Sequence, residues 1–137
     1  MSISDYLEAK ILNAVFNATA YSEAGDVWVS LHDADPTDVT ATALANEIAG
    51  GSYVRKQVAF DTAAGVGGIV DNDADIVWAG MPECVAGGAN EQLGWVAIFD
   101  AAAVGNLLWS GALTTPKNIN AGDTFTIAAG DLDVTLA

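Results

Sequence analysis

His32 and Cys84 are the only histidine and the only cysteine of the chain, which makes them the first candidates for catalysis. His32 precedes Asp33, and a histidine oriented by a carboxylate resembles half of a nucleophilic triad. Ser30 lies two residues away on the same expected strand, where neighbouring side chains do not reach an in-line attack geometry, and the sequence contains no GxSxG motif. We therefore interpret His32 as a polar residue at a strand end and expect no enzymatic activity.

Cys84 follows Glu83 and has no lysine or arginine near it in the sequence. A reactive thiolate needs a base or positive surroundings, so we interpret Cys84 as a half-buried structural thiol. A single cysteine also excludes an internal disulfide and a multi-cysteine zinc site. The GVGG run at 65–68 lacks the lysine and the Ser/Thr of a phosphate loop, so it predicts a turn. We expect no cofactor.

Asp71, Asp73 and Asp75 alternate in the DNDAD run at 71–75, as the first ligands of a calcium loop do. Position six of such a loop would be Ile76 instead of glycine, and position twelve would be Pro82. Because the rest of the pattern fails, a solvated turn rich in Asp and Asn explains the run better than a metal site. We assign no metal ligand and keep calcium binding as the alternative.

The four tryptophans, Trp28, Trp78, Trp95 and Trp109, all lie within expected strands. Aromatic side chains on an outward face can form a sugar-binding platform or a subunit interface, and core packing explains them equally well. If the chain is a carbohydrate-binding module, we expect Trp28 and Trp78 to stack on sugar rings.

Residues 4–17 predict an amphipathic helix, because Leu7, Ile11 and Val15 recur at i, i+4 spacing. A serine at its start can cap the first turn, and Asp5 and Glu8 suit the positive end of the helix dipole. The apolar stripe of this helix needs a partner surface, which is either the chain's own sheet or a neighbouring subunit.

From residue 26 the hydrophobic period changes to the alternation of strands. Val29 and Leu31 share one face, which predicts a strand with one buried side. In 53–60 the alternation places Val54 and Val58 on one face and Arg55 on the other. We expect seven short strands, at 26–32, 53–60, 75–79, 93–99, 106–113, 124–128 and 131–136.

Short strands between turns rich in Gly, Asn and Asp predict a mainly β fold. The expected architecture is an N-terminal amphipathic helix followed by an antiparallel β-sandwich or small barrel. We expect a single domain, 1–137, with the helix at 4–17 and the β-domain at 26–137.

The segment 33–51 has no strand pattern and has room for a short helix near 43–48. Connections of this length often face a partner when they are ordered. The candidate partner-interface residues are Leu7, Ile11, Val15, Trp28, Trp78, Asp35, Asp38 and Ile48.

Eighteen Asp and Glu residues against four Lys and Arg give a formal net charge of −14. Phosphate backbones and anionic lipid surfaces repel such a chain, so we expect neither a nucleic-acid partner nor a membrane partner. Only the adjacent pair Arg55 and Lys56 could form a small positive spot. The N-terminus lacks the features of a signal peptide, and no run approaches the roughly 20 apolar residues of a membrane span.

Four segments in the same order resemble a family of small tailed-bacteriophage proteins usually labelled phage tail fibre protein. They are SISDYLEAKILNAVF at 2–16, VWVSLHDADPTD at 27–38, GGSYVRKQVAF at 50–60 and the run from GWVAIF to DLDVTL at 94–136. The resemblance implies a virion structural protein with no catalytic or metal-binding residues to carry over. It also implies assembly in the bacterial host cytoplasm, and partners among the other phage structural proteins, either the major capsid protein or tail subunits. We further expect a homo-oligomer, with a trimer among the options.

The chain lacks the length and the repeat of a fibre shaft. A compact acidic β-domain suits a capsid decoration (cement) protein, which is the role we expect first. The alternative is a tail fibre or tail-tip component with host-surface or carbohydrate binding.

Overall fold

The structure, a computed structural model, describes residues 2–22, 25–61 and 68–135. Its helices and strands, in chain order, are β1 Ser2–Ile3, α1 Asp5–Phe16, β2 Val27–His32, α2 Thr40–Ala45, β3 Lys56–Val58, β4 Ile69–Val70, β5 Ile76–Trp78, β6 Leu93–Phe99, β7 Leu107–Lys117, β8 Phe125–Ile127 and β9 Val134–Thr135. The expected mainly β fold with an N-terminal helix is confirmed.

Helix α1 begins and ends where the sequence predicted. The Ser4 hydroxyl accepts a hydrogen bond from the Leu7 amide at 3.2 Å, which satisfies one of the free donors of the first turn. The same hydroxyl donates to the carbonyl of Leu107, so the cap also ties the helix to β7. Asp5 and Glu8 lie in the first turn, beside the positive end of the helix dipole.

The main sheet has five strands in the order β1-β7-β6-β2-β3, and all its neighbours are antiparallel. One row of side chains crosses it through Val29, Ile98, Trp109 and Ile3. Two short antiparallel ribbons, β5-β8 and β4-β9, accompany this sheet. The main sheet has free edges at β1 and β3, so the barrel alternative is wrong.

Both faces of the sheet centre are buried, which corrects the expectation of one buried face for β2. Val29 and Leu31 belong to the larger core, which also contains Trp78 and Met81. On the opposite face a smaller core joins Ala43 of α2 to Ala97, Phe99 and Leu107. Because α2 and the chain around it cover this second face, Ser30 and His32 are as buried as their apolar neighbours.

The predicted strand bounds agree best with the structure for the strand in the middle of the main sheet. Strand β6 has the predicted bounds, whereas the expected strand at 53–60 contracts to Lys56–Val58. There the predicted faces are wrong, because Val54 is exposed and Arg55 is buried. The expected strand at 131–136 is Val134–Thr135, and residue 136 lies outside the described residues, as do residues 65–67 of the GVGG run.

Candidate interaction site

The outer surface of α1 carries three exposed large apolar side chains within one stretch of five residues. The helix has no buried residue, although Leu7 packs against the larger core and Ile11 is half-buried. Val15 is 67% exposed, Phe16 77% and Leu12 55%. We call Leu12, Val15 and Phe16 the α1 surface. Of the predicted interface residues on this helix, Val15 therefore lies outward and Leu7 lies largely inward.

Charge is distributed unevenly along this helix. Its acidic residues, Asp5 and Glu8, lie in the first turn, and residues 9–22 contain no Asp or Glu. Lys10 lies 5.3 Å from the ring centroid of Tyr6, a cation–π distance. The α1 surface is thus an apolar patch without carboxylates on a chain of net charge −14.

The start of the 33–51 segment lies beside the start of α1. The amide of Asp5 donates to the carbonyl of Asp38 at 3.2 Å, and the Asp35 carboxylate accepts from the Thr37 amide at 2.8 Å. Asp35 and Asp38, with Trp95, line a depression of about 280 Å³. Asp35 is exposed and Asp38 half-buried, so both predicted residues reach the surface here.

Two predicted interface residues lie in the core, and this corrects the prediction. Trp78 is 1% exposed and donates through Nε1 to the carbonyl of Val54 at 3.0 Å. Ile48 is also buried, and its amide donates to the carbonyl of Leu31. Trp28 is half-buried on β2. Because Trp78 is enclosed, it cannot form a sugar platform with Trp28.

The residues that could do chemistry are enclosed. His32 Nε2 lies 2.7 Å from Ser30 Oγ, a spacing suited to a base and a nucleophile, but both residues are fully buried. Burial lowers the pKa of His32 from 6.5 to about 4, against the opposing effect of Glu47, so the ring is neutral at neutral pH. Its ring stacks on Phe99, with centroids 6.4 Å apart. Ser30 and His32 therefore pack within the fold, and neither side chain is accessible to solvent.

A buried ion pair lies next to His32. The Arg55 Nη2 contacts the Glu47 carboxylate at 2.6 Å, and Arg55 Nε donates to the same carboxylate at 2.9 Å. The Tyr53 hydroxyl also donates to Glu47, and burial with the charge of Glu47 raises the pKa of Tyr53 far above its usual value. Arg55 therefore serves the interior, which corrects its proposed part in a positive surface spot with Lys56. No local sequence pattern could have indicated the Arg55–Glu47 pair, because only the folding of the chain brings these two side chains together.

The DNDAD run forms a turn built around a buried asparagine. Asn72 Nδ2 donates to the carbonyls of Ala74 and Ala128, and its Oδ1 accepts from the Leu132 amide. Asp75 accepts from the Ala129 amide at 2.9 Å. Within residues 2–22, 25–61 and 68–135, no group of three or more His, Cys, Asp or Glu side chains could hold a metal ion.

Asp71 and Asp133 form a carboxylate pair at the same turn. Their mutual hydrogen bond, then burial and the charges of Asp133 and Asp61, raise the pKa of Asp71. The hydrogen bond and the nearby charge of Asp133 thus make the Asp71 carboxyl harder to ionise than a free one.

Cys84 is fully buried rather than half-buried, and it lies beside Pro82, whose carbonyl its sulfur contacts at 3.7 Å. Burial, followed by the charge of Asp33, raises the pKa of the thiol. A protonated, enclosed thiol is a poor nucleophile, which fits a structural interpretation.

Residues 2–135 match the family model described as podophage GP4 fiber I protein gp80. The chain belongs to this family. The resemblance to phage tail fibre proteins is thereby confirmed, and the family identifies the chain as a phage fibre structural protein and a virion component. No curated protein matches the chain. Neither described helix has the length and apolarity that a membrane crossing requires.

Proposed function

We propose that this fibre-family protein is a non-enzymatic subunit that binds neighbouring virion subunits through the α1 surface. The observation that carries the proposal is a 12-residue helix with no buried residue, on which Val15 and Phe16 are mostly exposed. An apolar helix face of this kind is stabilised only when another surface covers it. Asp35 and Asp38 lie near the start of the helix, outside the α1 surface, and are no part of this contact.

The distribution of charge favours a second copy of the chain as the partner that covers the α1 surface. Two chains of net charge −14 repel each other wherever their acidic surfaces meet. Because residues 9–22 carry no acid, two such helices can approach at Val15 and Phe16, with Glu8 one turn before Leu12 as the nearest carboxylate along α1. This supports a homo-oligomer, with a trimer among the options, and assembly in the host cytoplasm before incorporation into the particle.

Burial of the reactive groups supports a purely structural role. A catalytic site needs a nucleophile or a base that a substrate can reach. Ser30, His32 and Cys84 are each enclosed within the fold. The subunit therefore uses these side chains for packing.

The family match supports a position on the tail. The capsid decoration role, which we expected first from the sequence, stays a prediction, and so does binding of a host-surface carbohydrate. Immunogold labelling of intact particles with antibodies to this chain distinguishes the two locations, with antibody pre-absorbed on the purified protein as the control. We expect gold at the tail. Labelling spread over the capsid would reject the tail position and support decoration.

A further inference from the structure

A groove of about 560 Å³ opens between the C-terminal half of β7 and the chain around β8 and β9. Its apolar lining comes from the main sheet and from the chain around β8 and β9. It includes Val96, Trp109, Leu113, Phe125, Ile127 and Leu132. Thr114, Asp131 and Asp133 add polar groups to this lining. The groove is thus long enough and apolar enough for a few side chains, with polar groups to orient them.

The strand beside this groove has a free edge. The amide of Ser4 donates to the carbonyl of Leu108 at 3.0 Å, and Ser2 pairs with Ser110 on the same edge. By the alternation of a strand, Ala112 presents the next backbone donor and acceptor there. Among the described residues none pairs with β7 on that edge beyond Ser110, and five of its last six residues are exposed.

Trp109 adds an unsatisfied donor at the groove. The residue is 4% exposed, and its buried Nε1 has no hydrogen-bond partner within the described ranges. An indole N–H can only donate, and a buried donor left unpaired is destabilising. A carbonyl oxygen brought into the groove is the kind of group that could satisfy it.

The acidic side chains select the charge of the ligand. Asp131 and Asp133 are both exposed at the groove, and Asp71 lies against Asp133, so acidic side chains are concentrated there. A cationic side chain placed beside them would relieve the repulsion between the carboxylates. Pro116 lacks an N–H and Lys117 carries a like charge, so they limit the added strand to a few residues.

We propose that the groove and the free edge of β7 form one docking site for a short, extended, basic polypeptide segment of a partner protein. The segment adds a strand beside Ala112, places apolar side chains over Leu113 and Phe125, and pairs a lysine or arginine with Asp131 and Asp133. Backbone hydrogen bonds then supply affinity and the groove supplies specificity. The site is separate from the α1 surface, so its failure would leave the proposed function standing.

The test is fluorescence anisotropy of the full chain with a labelled peptide of sequence acetyl-Val-Thr-Arg-Val-Thr-amide. We expect saturable binding that a glutamate in place of the arginine abolishes. N-methylation of alternate peptide amides, which removes the edge hydrogen bonds, should weaken binding at least about tenfold, the effect of losing one or two such bonds.

Variants of the chain locate the contact. Asp131→Asn and Ala112→Pro should each weaken binding at least about threefold. The matched control for Asp131→Asn is Glu83→Gln, which removes an exposed carboxylate that does not line the groove and should bind as the wild type does. Ala112→Ser keeps the backbone N–H and should bind more tightly than Ala112→Pro. If Ala112→Pro fails to fold, the N-methylated peptide tests the same hydrogen bonds.

Three outcomes would overturn the proposal. One is no saturable binding of the basic peptide. Another is equal weakening by Asp131→Asn and Glu83→Gln, which would reveal general electrostatic attraction. The third is binding of neutral oligosaccharides with no peptide binding, which would make the groove a sugar site.

Discussion

The Arg55 guanidinium carbon lies 3.7 Å from the ring centroid of Phe99, so a full positive charge stacks on an aromatic side chain inside the fold. The same guanidinium binds Glu47 and donates through Nη1 to the carbonyls of Ala101 and Val104, at 3.1 and 2.7 Å. One side chain thereby holds the 33–51 segment, β6 and the loop before β7 together.

Replacement of Arg55 by methionine should destabilise the protein by about 3 kcal/mol or more, because it leaves the Glu47 carboxylate buried without its partner. The measurement is the free energy of unfolding in urea. The control is Lys56→Met at the neighbouring, half-buried position, where we expect a change of about 0.5 kcal/mol or less. Equal losses in the two variants would contradict a specific role for the ion pair.

Acid should destabilise the fold through His32. The folded pKa is about 4 and the unfolded value 6.5, so the unfolded chain binds the proton more tightly. The stability that the neutral ring contributes is therefore present at neutral pH and is lost as the pH falls from 6.5 towards 4. The loss approaches about 3 kcal/mol, from 1.36 kcal/mol per pKa unit.

His32→Asn should remove this part of the pH dependence. Unfolding free energies at pH 7 and pH 4 are compared for the two proteins, so that the cost of the substitution itself cancels. If the variant loses as much unfolding free energy between pH 7 and pH 4 as the wild type does, the acid sensitivity comes from groups other than His32.

The Asp71–Asp133 pair should act in the opposite direction. The raised folded pKa of Asp71 means that the folded chain holds the proton of this carboxyl more tightly than the unfolded chain does. Protonated Asp71 therefore stabilises the fold below its unfolded pKa of 3.8, and this contribution is lost as the pH rises. Asp71→Asn should therefore raise the melting temperature at pH 7 and leave it unchanged near pH 3. Asp73→Asn, at an exposed position of the same turn, is the control. A lower melting temperature for Asp71→Asn at pH 7 would be inconsistent with carboxylate repulsion.

The double substitution Val15→Ser and Phe16→Ser should dissociate the oligomer while changing the free energy of unfolding of the subunit by about 0.5 kcal/mol per site or less, because both side chains are mostly exposed. Analytical ultracentrifugation measures the mass in solution. Val77→Ser, at another exposed apolar position, should leave the mass unchanged. A wild-type chain that stays monomeric at high concentration would contradict the homo-oligomer.

The predicted elements agree with the structure where the local hydrophobic periodicity matches the packing of the folded chain. The i, i+4 spacing in α1 and the alternation in β6 needed no tertiary information. β1 and β4, with two residues each, are too short to carry a period and were missed. The contraction of 53–60 follows from Arg55, whose inward orientation depends on Glu47 in another segment.

The candidate interface was predictable in part for the same reason. Leu7 and Val15 share one stripe of α1, yet Leu7 packs against the larger core and Val15, two turns later, is 67% exposed. The helical period predicts the stripe but not how far along it the sheet reaches. Trp78 could equally have faced outward or inward, and only the covering of β5 by the larger core decides between these positions. The groove beside β7 forms between the main sheet and the chain around β8 and β9. The sequence of any one of these segments does not show that they meet there.

The pairing of Ser2 with Ser110 and of Ile3 with Trp109 has a consequence for biosynthesis. β1 can pair with β7 only after the residues between these two strands have been made, and pairings between segments this distant in sequence are slow to form. Until then α1 has no sheet to dock on, and its orientation relative to the rest of the subunit is undefined. We therefore expect the α1 surface to become available for binding only in chains that have been made through β7.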